Sequence, residues 1–231
     1  DLDNLPIMSE ISRLAGVAST DWSWSTLFAD LDNDGLKDIY ITNGMKRDVN
    51  DNDINNKTKP TSFKQAFSID ITDYKSQPIA NYVYQNQGDF TFKKKGADWN
   101  LNFEGFSNGM SYGDLDNDGD LDLVINNIDQ PASFFENKTV GRNYLRISLK
   151  GTEQNPIGLG AKVTIETEKS TQVQELSLTR GFQSSVEPVL HFGLGAQSDI
   201  KRVHVVWPDG KEQFLTKPTV NQLVDIDYAN A

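Results

Sequence analysis

The sequence has 231 residues, enough for one large domain or two modest ones, and with 37% hydrophobic and 10% aromatic residues it is too apolar for a disordered chain. Its formal net charge of −11 argues against binding to nucleic acid or to anionic membranes, and the absence of cysteine excludes a disulfide framework. The acidic excess is confined to residues 1–140, which carry 23 acidic and 12 basic residues, whereas residues 141–231 carry 10 of each.

In chain order, the first strong pattern is a strand–loop–strand unit. The stretch STLFA leads into ADLDNDGLKD at residues 29–38, and DIYITNG follows it. These flanks are short β-branched and apolar runs, which predict strands. A near copy of the loop, GDLDNDGDLD, lies at residues 113–122 between GMSYG and DLVINN. We name residues 30–38 loop 1 and residues 114–122 loop 2.

Both loops have the spacing of a cation site. Like carboxylates this close raise one another's pKa, and a shared cation removes that cost. Aspartates occupy positions 1, 3, 5 and 9 of each loop, and glycine occupies position 6, where a calcium loop turns sharply. Since calcium takes about six to eight oxygen ligands, we predict one Ca²⁺ per loop, completed by the carbonyl of position 7 and by water. The predicted ligands are Asp30, Asp32, Asp34, Leu36 and Asp38 in loop 1, and Asp114, Asp116, Asp118, Asp120 and Asp122 in loop 2.

Other interpretations of the loops fit less well. An EF-hand needs a glutamate at position 12 and flanking helices, whereas position 12 is Ile41 or Ile125 and the flanks predict strands. Magnesium prefers a tighter octahedron, and a chain with no cysteine and two histidines offers little to softer metals. A plain polar turn is the remaining alternative, although a turn needs one or two aspartates rather than four in register.

Between the two loops the chain is longer than one repeat. Residues 30 and 114 lie farther apart than the roughly 40–50 residues of a propeller repeat, which predicts an insertion at residues 45–77 with one short helix near SFKQAF. Asp48, Asp51 and Asp53 of this insertion lack the glycine and the spacing of the loops, so a solvated loop is the favoured interpretation. An aromatic strand ending near Asn, YVYQNQG and SFFENK, is predicted to close each repeat.

A domain boundary is predicted near NKTVGRN, residues 137–143, which divides the chain into residues 1–140 and 141–231. Seven short strands follow it: NYLRISLK, AKVTIET, TQVQELSLT, VEPVLHF, RVHVVW, EQFLT and QLVDID. VTIETEKSTQVQEL is typical of a hairpin, and WPDG of a turn. This spacing of strands predicts an antiparallel β-sandwich.

Two parts of the chain resemble known families. The two loop units are similar to FG-GAP/VCBS repeats, the blades of integrin-type β-propellers, and NPIGLGAKV, RGFQSS, HFGLG and VVWPDGKEQ of the second half resemble the ASPIC/UnbV domain. The resemblance implies an all-β chain in which two blade-like repeats are followed by the β-sandwich. The two repeats would form only a partial propeller, since a closed propeller needs more blades. The resemblance also implies structural calcium, an extracellular or cell-surface location such as a bacterial outer membrane, and a protein or glycan ligand.

No pattern of an enzyme is present in the sequence. GLGAQS at residues 193–198 lacks the third glycine of a dinucleotide loop and leads into a strand, and His191 and His204 lie in strand-like runs, where a half-exposed structural role is favoured. Trp22, Trp24 and Phe28 alternate as core residues do, although a sugar-stacking platform stays possible.

No apolar run approaches the roughly 20 residues of a membrane span. The start at Asp1 without methionine indicates a fragment.

Two functions therefore stay open. The first is a non-enzymatic, calcium-stabilised module for adhesion or ligand binding at the cell surface. The second is an accessory region of a surface protein that binds or degrades polysaccharides. Clustered carboxylates suggest glycosidase chemistry, but their regular spacing in one loop aims them at a common point rather than at two sides of a sugar bond.

Overall fold

The computed structural model describes residues 8–48, 51–53, 56, 72 and 74–231. Within these residues the regular secondary structure consists of β-strands apart from short helical segments, of which α1 (Ser12–Ala15) precedes the first strand and a 3-10 turn (Tyr228–Asn230) follows the last. The predicted all-β fold is confirmed.

The first half contains two blade-like antiparallel sheets. Its strands are β1 (Ser23–Ala29), β2 (Asp38–Asn43), β3 (Ile79–Ala80), β4 (Tyr82–Asn86), β5 (Phe92–Lys94), β6 (Glu104–Gly105), β7 (Ser107–Gly113), β8 (Asp122–Asn127) and β9 (Ser133–Phe135). One sheet has the order β1-β2-β4-β5, the other has the order β7-β8-β9, and β3 pairs with β6 beside them. Loop 1 joins β1 to β2 and loop 2 joins β7 to β8, so each loop is a hairpin connection as predicted.

The two sheets pack against each other through one apolar cluster. Strand β2 is buried along its whole length, because Tyr40 faces the neighbouring sheet while Ile39 and Ile41 pack with Tyr84 on the opposite face. The cluster between the sheets consists of Leu27, Ala29, Leu31, Tyr40, Val83, Leu101, Met110, Leu121, Leu123 and Ile125. This packing holds β1 beside β7 and places loops 1 and 2 at the same end of the two sheets.

The predicted insertion falls between β2 and β3. The segment SFKQAF, for which a helix is predicted, lies outside the described residues. Residues 74–78, which return to β3, carry no regular secondary structure.

The second half is a two-sheet sandwich. Its strands are β10 (Asn143–Lys150), β11 (Lys162–Thr167), β12 (Thr171–Glu175), β13 (Val189–Gly195), β14 (Ile200–Val206), β15 (Glu212–Thr216) and β16 (Leu223–Asp227). The sheets have the orders β13-β10-β16 and β12-β11-β14-β15, and the predicted hairpin is the pair β11–β12. Buried residues of both sheets form a single core, including Phe192, Val163, Val203 and Trp207.

One strand pair of the sandwich differs from the antiparallel expectation. Strand β16 pairs with β10 in parallel, with Arg146 opposite Leu223. A parallel pair needs a long crossover connection. Strands β11–β15 form this connection, because they lie between β10 and β16 in the chain. The remaining pairs of the sandwich are antiparallel among the described strands.

The second half packs directly on loops 1 and 2. A Cβ atom on Gly193 of β13 would collide with the carboxylate of Asp30, and one on Gly119 of loop 2 would collide with the ring of Tyr144 in β10. Only glycine permits so close an approach. Strands β9 and β10 lie in different sheets on either side of residue 140, but the division into two independent domains stays a prediction.

Candidate metal centres

Three predicted ligands converge in each loop. Oxygen atoms of Asp30, Asp32 and Asp38 lie within 4.8 Å of one another in loop 1. The carboxylates of loop 2 at the same positions, 1, 3 and 9, meet the same condition; they belong to Asp114, Asp116 and Asp122. The structure therefore brings six of the predicted side chains together into two equivalent acidic triads.

Position 5 of each loop is turned towards the loop's own backbone. Asp34 Oδ1 accepts a hydrogen bond from the amide of Leu36 at 2.8 Å, and Asp118 Oδ1 accepts one from the amide of Asp120 at 3.1 Å. These two aspartates are not members of the acidic triads. The second carboxylate oxygen of Asp34 lies 3.7 Å from Arg142 Nη1.

The loop backbone explains why positions 4 and 6 carry asparagine and glycine. The φ angles are +56° at Asn33 and +92° at Gly35, and +63° at Asn117 and +93° at Gly119. Glycine adopts this left-handed region without strain, and asparagine tolerates it better than most residues. The turn directs the position-6 amide at the position-1 carboxylate, with a distance of 2.8 Å from Gly35 N to Asp30 Oδ2.

A further asparagine holds position 9 in each repeat. Asp38 accepts hydrogen bonds from the amides of Leu31 at 3.1 Å and Asn86 at 2.9 Å, and the Asn86 side chain donates to the carbonyl of Lys37 at 3.1 Å. In loop 2, Asp122 accepts a hydrogen bond from the backbone amide of Asn137 at 2.8 Å. Sequence reasoning did not assign this role, although the asparagine that ends each aromatic strand is the signal for it.

Burial makes several of these carboxylates difficult to ionise. Desolvation raises the pKa of Asp30 to about 7 and that of Asp38 to about 8, against the opposing effect of backbone hydrogen bonds. Desolvation also raises the pKa of Asp120 to about 7 and increases the pKa values of Asp34 and Asp114. A cation among the carboxylates would favour their charged form.

Loop 2 contains two buried carboxylate oxygens that lack a partner. Within the described part of the chain, Asp114 Oδ1 and Asp120 Oδ1 accept no hydrogen bond, although these residues are only 7% and 2% exposed. Buried polar atoms are usually satisfied, and an unsatisfied one is consistent with an absent ion. Because the donors are all oxygen atoms, the arrangement fits a hard cation such as calcium.

Arginines of the second half contact the loops. Arg146 donates to Asp114 Oδ2 at 2.7 Å and to Glu187 at 2.8 Å, and its side chain is 6% exposed. Arg142 donates to Asp32 Oδ1 at 2.9 Å. Sequence reasoning missed these partners, since nothing in the local spacing connects β10 (Asn143–Lys150) or the residue before it to either loop. These guanidinium groups offset part of the acidic charge of the loops.

The other residues considered from the sequence do not form a shared site. The ring centroids of Trp24 and of Phe182 in the second half lie 4.9 Å apart, whereas Trp22 and Phe28 are 39% and 49% exposed.

Asp48, Asp51 and Asp53 belong to neither metal cluster found among the described residues. His204 stacks on Phe214 at 4.4 Å, and His191 is buried rather than half-exposed.

A cleft of about 490 Å³ in the first half is lined by loop 1, by the connection between β5 and β6, by the end of loop 2 with β8, and by β9 with the segment that follows it. Buried apolar residues, among them Leu121, form its floor, and Trp99, Asp98 and Glu136 lie at its rim. Asp32 of loop 1 also borders it. The cleft therefore adjoins one of the acidic triads.

Comparison with known proteins finds a family match in each half. Residues 67–125 match the family model described as FG-GAP-like repeat, and residues 151–231 match the one described as ASPIC and UnbV. The resemblance inferred from the motifs is thereby confirmed. The first match includes loop 2 and overlaps the end of the predicted insertion, but it does not reach loop 1.

Individual relatives carry the name cartilage acidic protein 1. The protein of Xenopus tropicalis is 33% identical over 132 residues, and those of Mus musculus and Homo sapiens are each 34% identical over 132 residues. Each match covers 54% of this chain but only 20% of the relative, so the chain corresponds to a small part of those proteins. Within its described residues, no helix combines the length and the apolar character that crossing a membrane requires.

Proposed function

We propose that the chain is a calcium-stabilised, non-enzymatic module of an extracellular or cell-surface protein that takes part in adhesion or ligand binding. The observation that carries this proposal is the pair of equivalent acidic triads, together with the unpartnered buried oxygen of Asp114 in one of them. One Ca²⁺ would occupy each loop. The ligands would be Asp30, Asp32, Asp34, the carbonyl of Leu36 and Asp38, and Asp114, Asp116, Asp118, the carbonyl of Asp120 and Asp122.

Calcium would act on the fold and not on a substrate. In each loop it would join the end of the first strand, at position 1, to the start of the second strand, at position 9. It would also neutralise carboxylates that burial makes costly to ionise. Because the triads converge on one point per loop, they resemble a cation site more than the separated acid pair of a glycosidase.

The comparisons support the location and the general role. The matched family description, FG-GAP-like repeat, and the relatives' name, cartilage acidic protein, agree with a protein outside the cell. The net charge of −11 makes nucleic acid an unsuitable partner. The partner in this proposal is a protein or glycan at the cell surface.

Metal content and calcium titration test the calcium sites. The purified 231-residue chain should contain two calcium ions per molecule by mass spectrometry, and a chelator should remove them. Asp32→Ala and Asp116→Ala should each remove one ion, whereas Asp199→Ala, an exposed aspartate outside the loops, should remove none. A chain that contains no calcium and shows no binding in calorimetry would disprove the proposal.

A second candidate function rests on the cleft beside loop 1. Its apolar floor, the indole of Trp99 and its polar rim suit a sugar ring, which would make the chain an accessory region of a polysaccharide-binding or polysaccharide-degrading protein. A glycan array probed with the chain tests this function, with Trp99→Ala as the matched variant. Binding that Trp99→Ala abolishes, or turnover of an acidic polysaccharide, would favour this candidate over the first.

A further inference from the structure

We propose that Asn33 couples the two loops, so that calcium bound in one raises the calcium affinity of the other, with the second half holding Asn33 in place. This inference rests on the proposed calcium sites. Asn33 occupies position 4 of loop 1 between two predicted ligands, yet its side chain points away from its own loop and into the contact between the loops and strand β13.

The side chain of Asn33 bridges three parts of the molecule. Its amide nitrogen donates to the carbonyl of Gly119 in loop 2 at 3.0 Å, and its amide oxygen lies 2.6 Å from His191 Nε2 in β13. Its backbone carbonyl accepts the amide of Gly195 at 2.8 Å. Asn33 is only 3% exposed, so these bonds are shielded from water and are costly to leave unmade.

The contact continues to a predicted ligand of loop 2. Gly119, whose carbonyl accepts the hydrogen bond from Asn33, donates its own amide to Asp114 Oδ2 at 3.1 Å. A change in the position of Asn33 therefore shifts the residue that contacts Asp114. Since calcium in loop 1 would order the residues on both sides of Asn33, it would also order Gly119, and loop 2 would lose less freedom on binding its own ion.

His191 is suited to hold Asn33 without adding charge. Desolvation, with smaller effects of Arg146 and Lys37, lowers the pKa of His191 to about 3, so its ring is neutral at pH 7. Because the Asn33 oxygen accepts, Nε2 of the ring carries the proton and donates. This bond fixes the orientation of the Asn33 amide, so that its nitrogen faces Gly119.

Loop 2 provides a matched control at the same position. Asn117 also occupies position 4 and has a positive φ of 63°, but its side chain is exposed and makes no hydrogen bond to the described residues. The two asparagines thus share the left-handed backbone conformation of position 4, and of these two only Asn33 bridges the loops with its side chain. Glycine accepts a positive φ, so Asn33→Gly and Asn117→Gly remove the side chain without straining the loop.

The experiment measures the calcium affinity of loop 1 with loop 2 intact and with loop 2 disabled by Asp116→Ala. Calcium alone is titrated calorimetrically into the metal-free 231-residue chain. Coupling of ordinary size predicts that Asp116→Ala lowers the calcium affinity of loop 1 by about five-fold or more. In the Asn33→Gly background, Asp116→Ala should leave the calcium affinity of loop 1 unchanged. In the Asn117→Gly background, it should lower this affinity as much as it does in the native chain.

His191→Phe provides an independent variant. It keeps an aromatic ring against Tyr144 but removes the donor to Asn33, and it should reduce the coupling as well. The inference is overturned if Asp116→Ala leaves loop 1 unchanged in the native background, or if Asn33→Gly retains as much coupling as Asn117→Gly. If the native chain binds no calcium, the proposed function fails; if it binds two ions independently, only the coupling fails.

Discussion

Replacing Arg146 by methionine is expected to destabilise the protein by about 3–5 kcal/mol, the usual cost of removing one partner from a buried ion pair. The Arg146 side chain is 6% exposed and that of Asp114 is 1% exposed, and the two are joined by a 2.7 Å hydrogen bond. Methionine replaces the aliphatic part of arginine but leaves Asp114 and Glu187 without their cation. Because Glu187 is 28% exposed and can regain water, we expect a loss near the lower end of this range.

Urea unfolding at pH 7, with calcium and with chelator, measures this loss. Calcium should reduce it, because an ion in loop 2 would neutralise Asp114 through its unpartnered oxygen. Arg202→Met is the control, since the side chains of Arg202 and its partner Glu166 are 46% and 32% exposed; this substitution should cost no more than about 1 kcal/mol. A loss for Arg146→Met as small as that of the control would refute the buried-pair argument, and a loss that calcium does not change would refute its link to loop 2.

Chelation should lower the melting temperature in calorimetry, since an ion present at about 100 times its Kd stabilises the folded state by about 2.7 kcal/mol; an unchanged profile would contradict the calcium sites. The pH dependence of the metal-free chain should be unusual, because the folded-state pKa values of Asp30, Asp38 and Asp120 are raised to about 7, 8 and 7. The folded state then binds more protons than the unfolded state, so denaturation should show stability rising as pH falls from about 8 towards 5, and the opposite slope would refute these shifts. Gly193→Ala should cost about 1–3 kcal/mol because its Cβ would meet the Asp30 carboxylate, whereas Gly96→Ala, which has ordinary contacts, should cost less in the same urea titration.

The parts of the structure that follow from the sequence are those decided within a few residues. The pattern of loop 1 is complete in nine residues, and its glycine adopts the positive φ that the pattern requires. Short β-branched and apolar runs likewise predicted the strands beside each loop, because such residues favour the strand conformation within a few residues of chain. The asparagines that end the aromatic strands were visible, but their bonds to Asp38 and Asp122 become clear only once the strands are paired.

The sequence by itself determined that this chain has two acidic strand–loop–strand units and a sandwich of short strands. Only the tertiary structure decided that the sandwich rests on the loops, with Arg146 at Asp114 and His191 at Asn33. These pairs join residues far apart in the chain, and their spacing carries no signal, since it depends on how two separate cores are oriented. Local chemistry specifies a loop, whereas the neighbours that surround it are set by the packing of whole sheets.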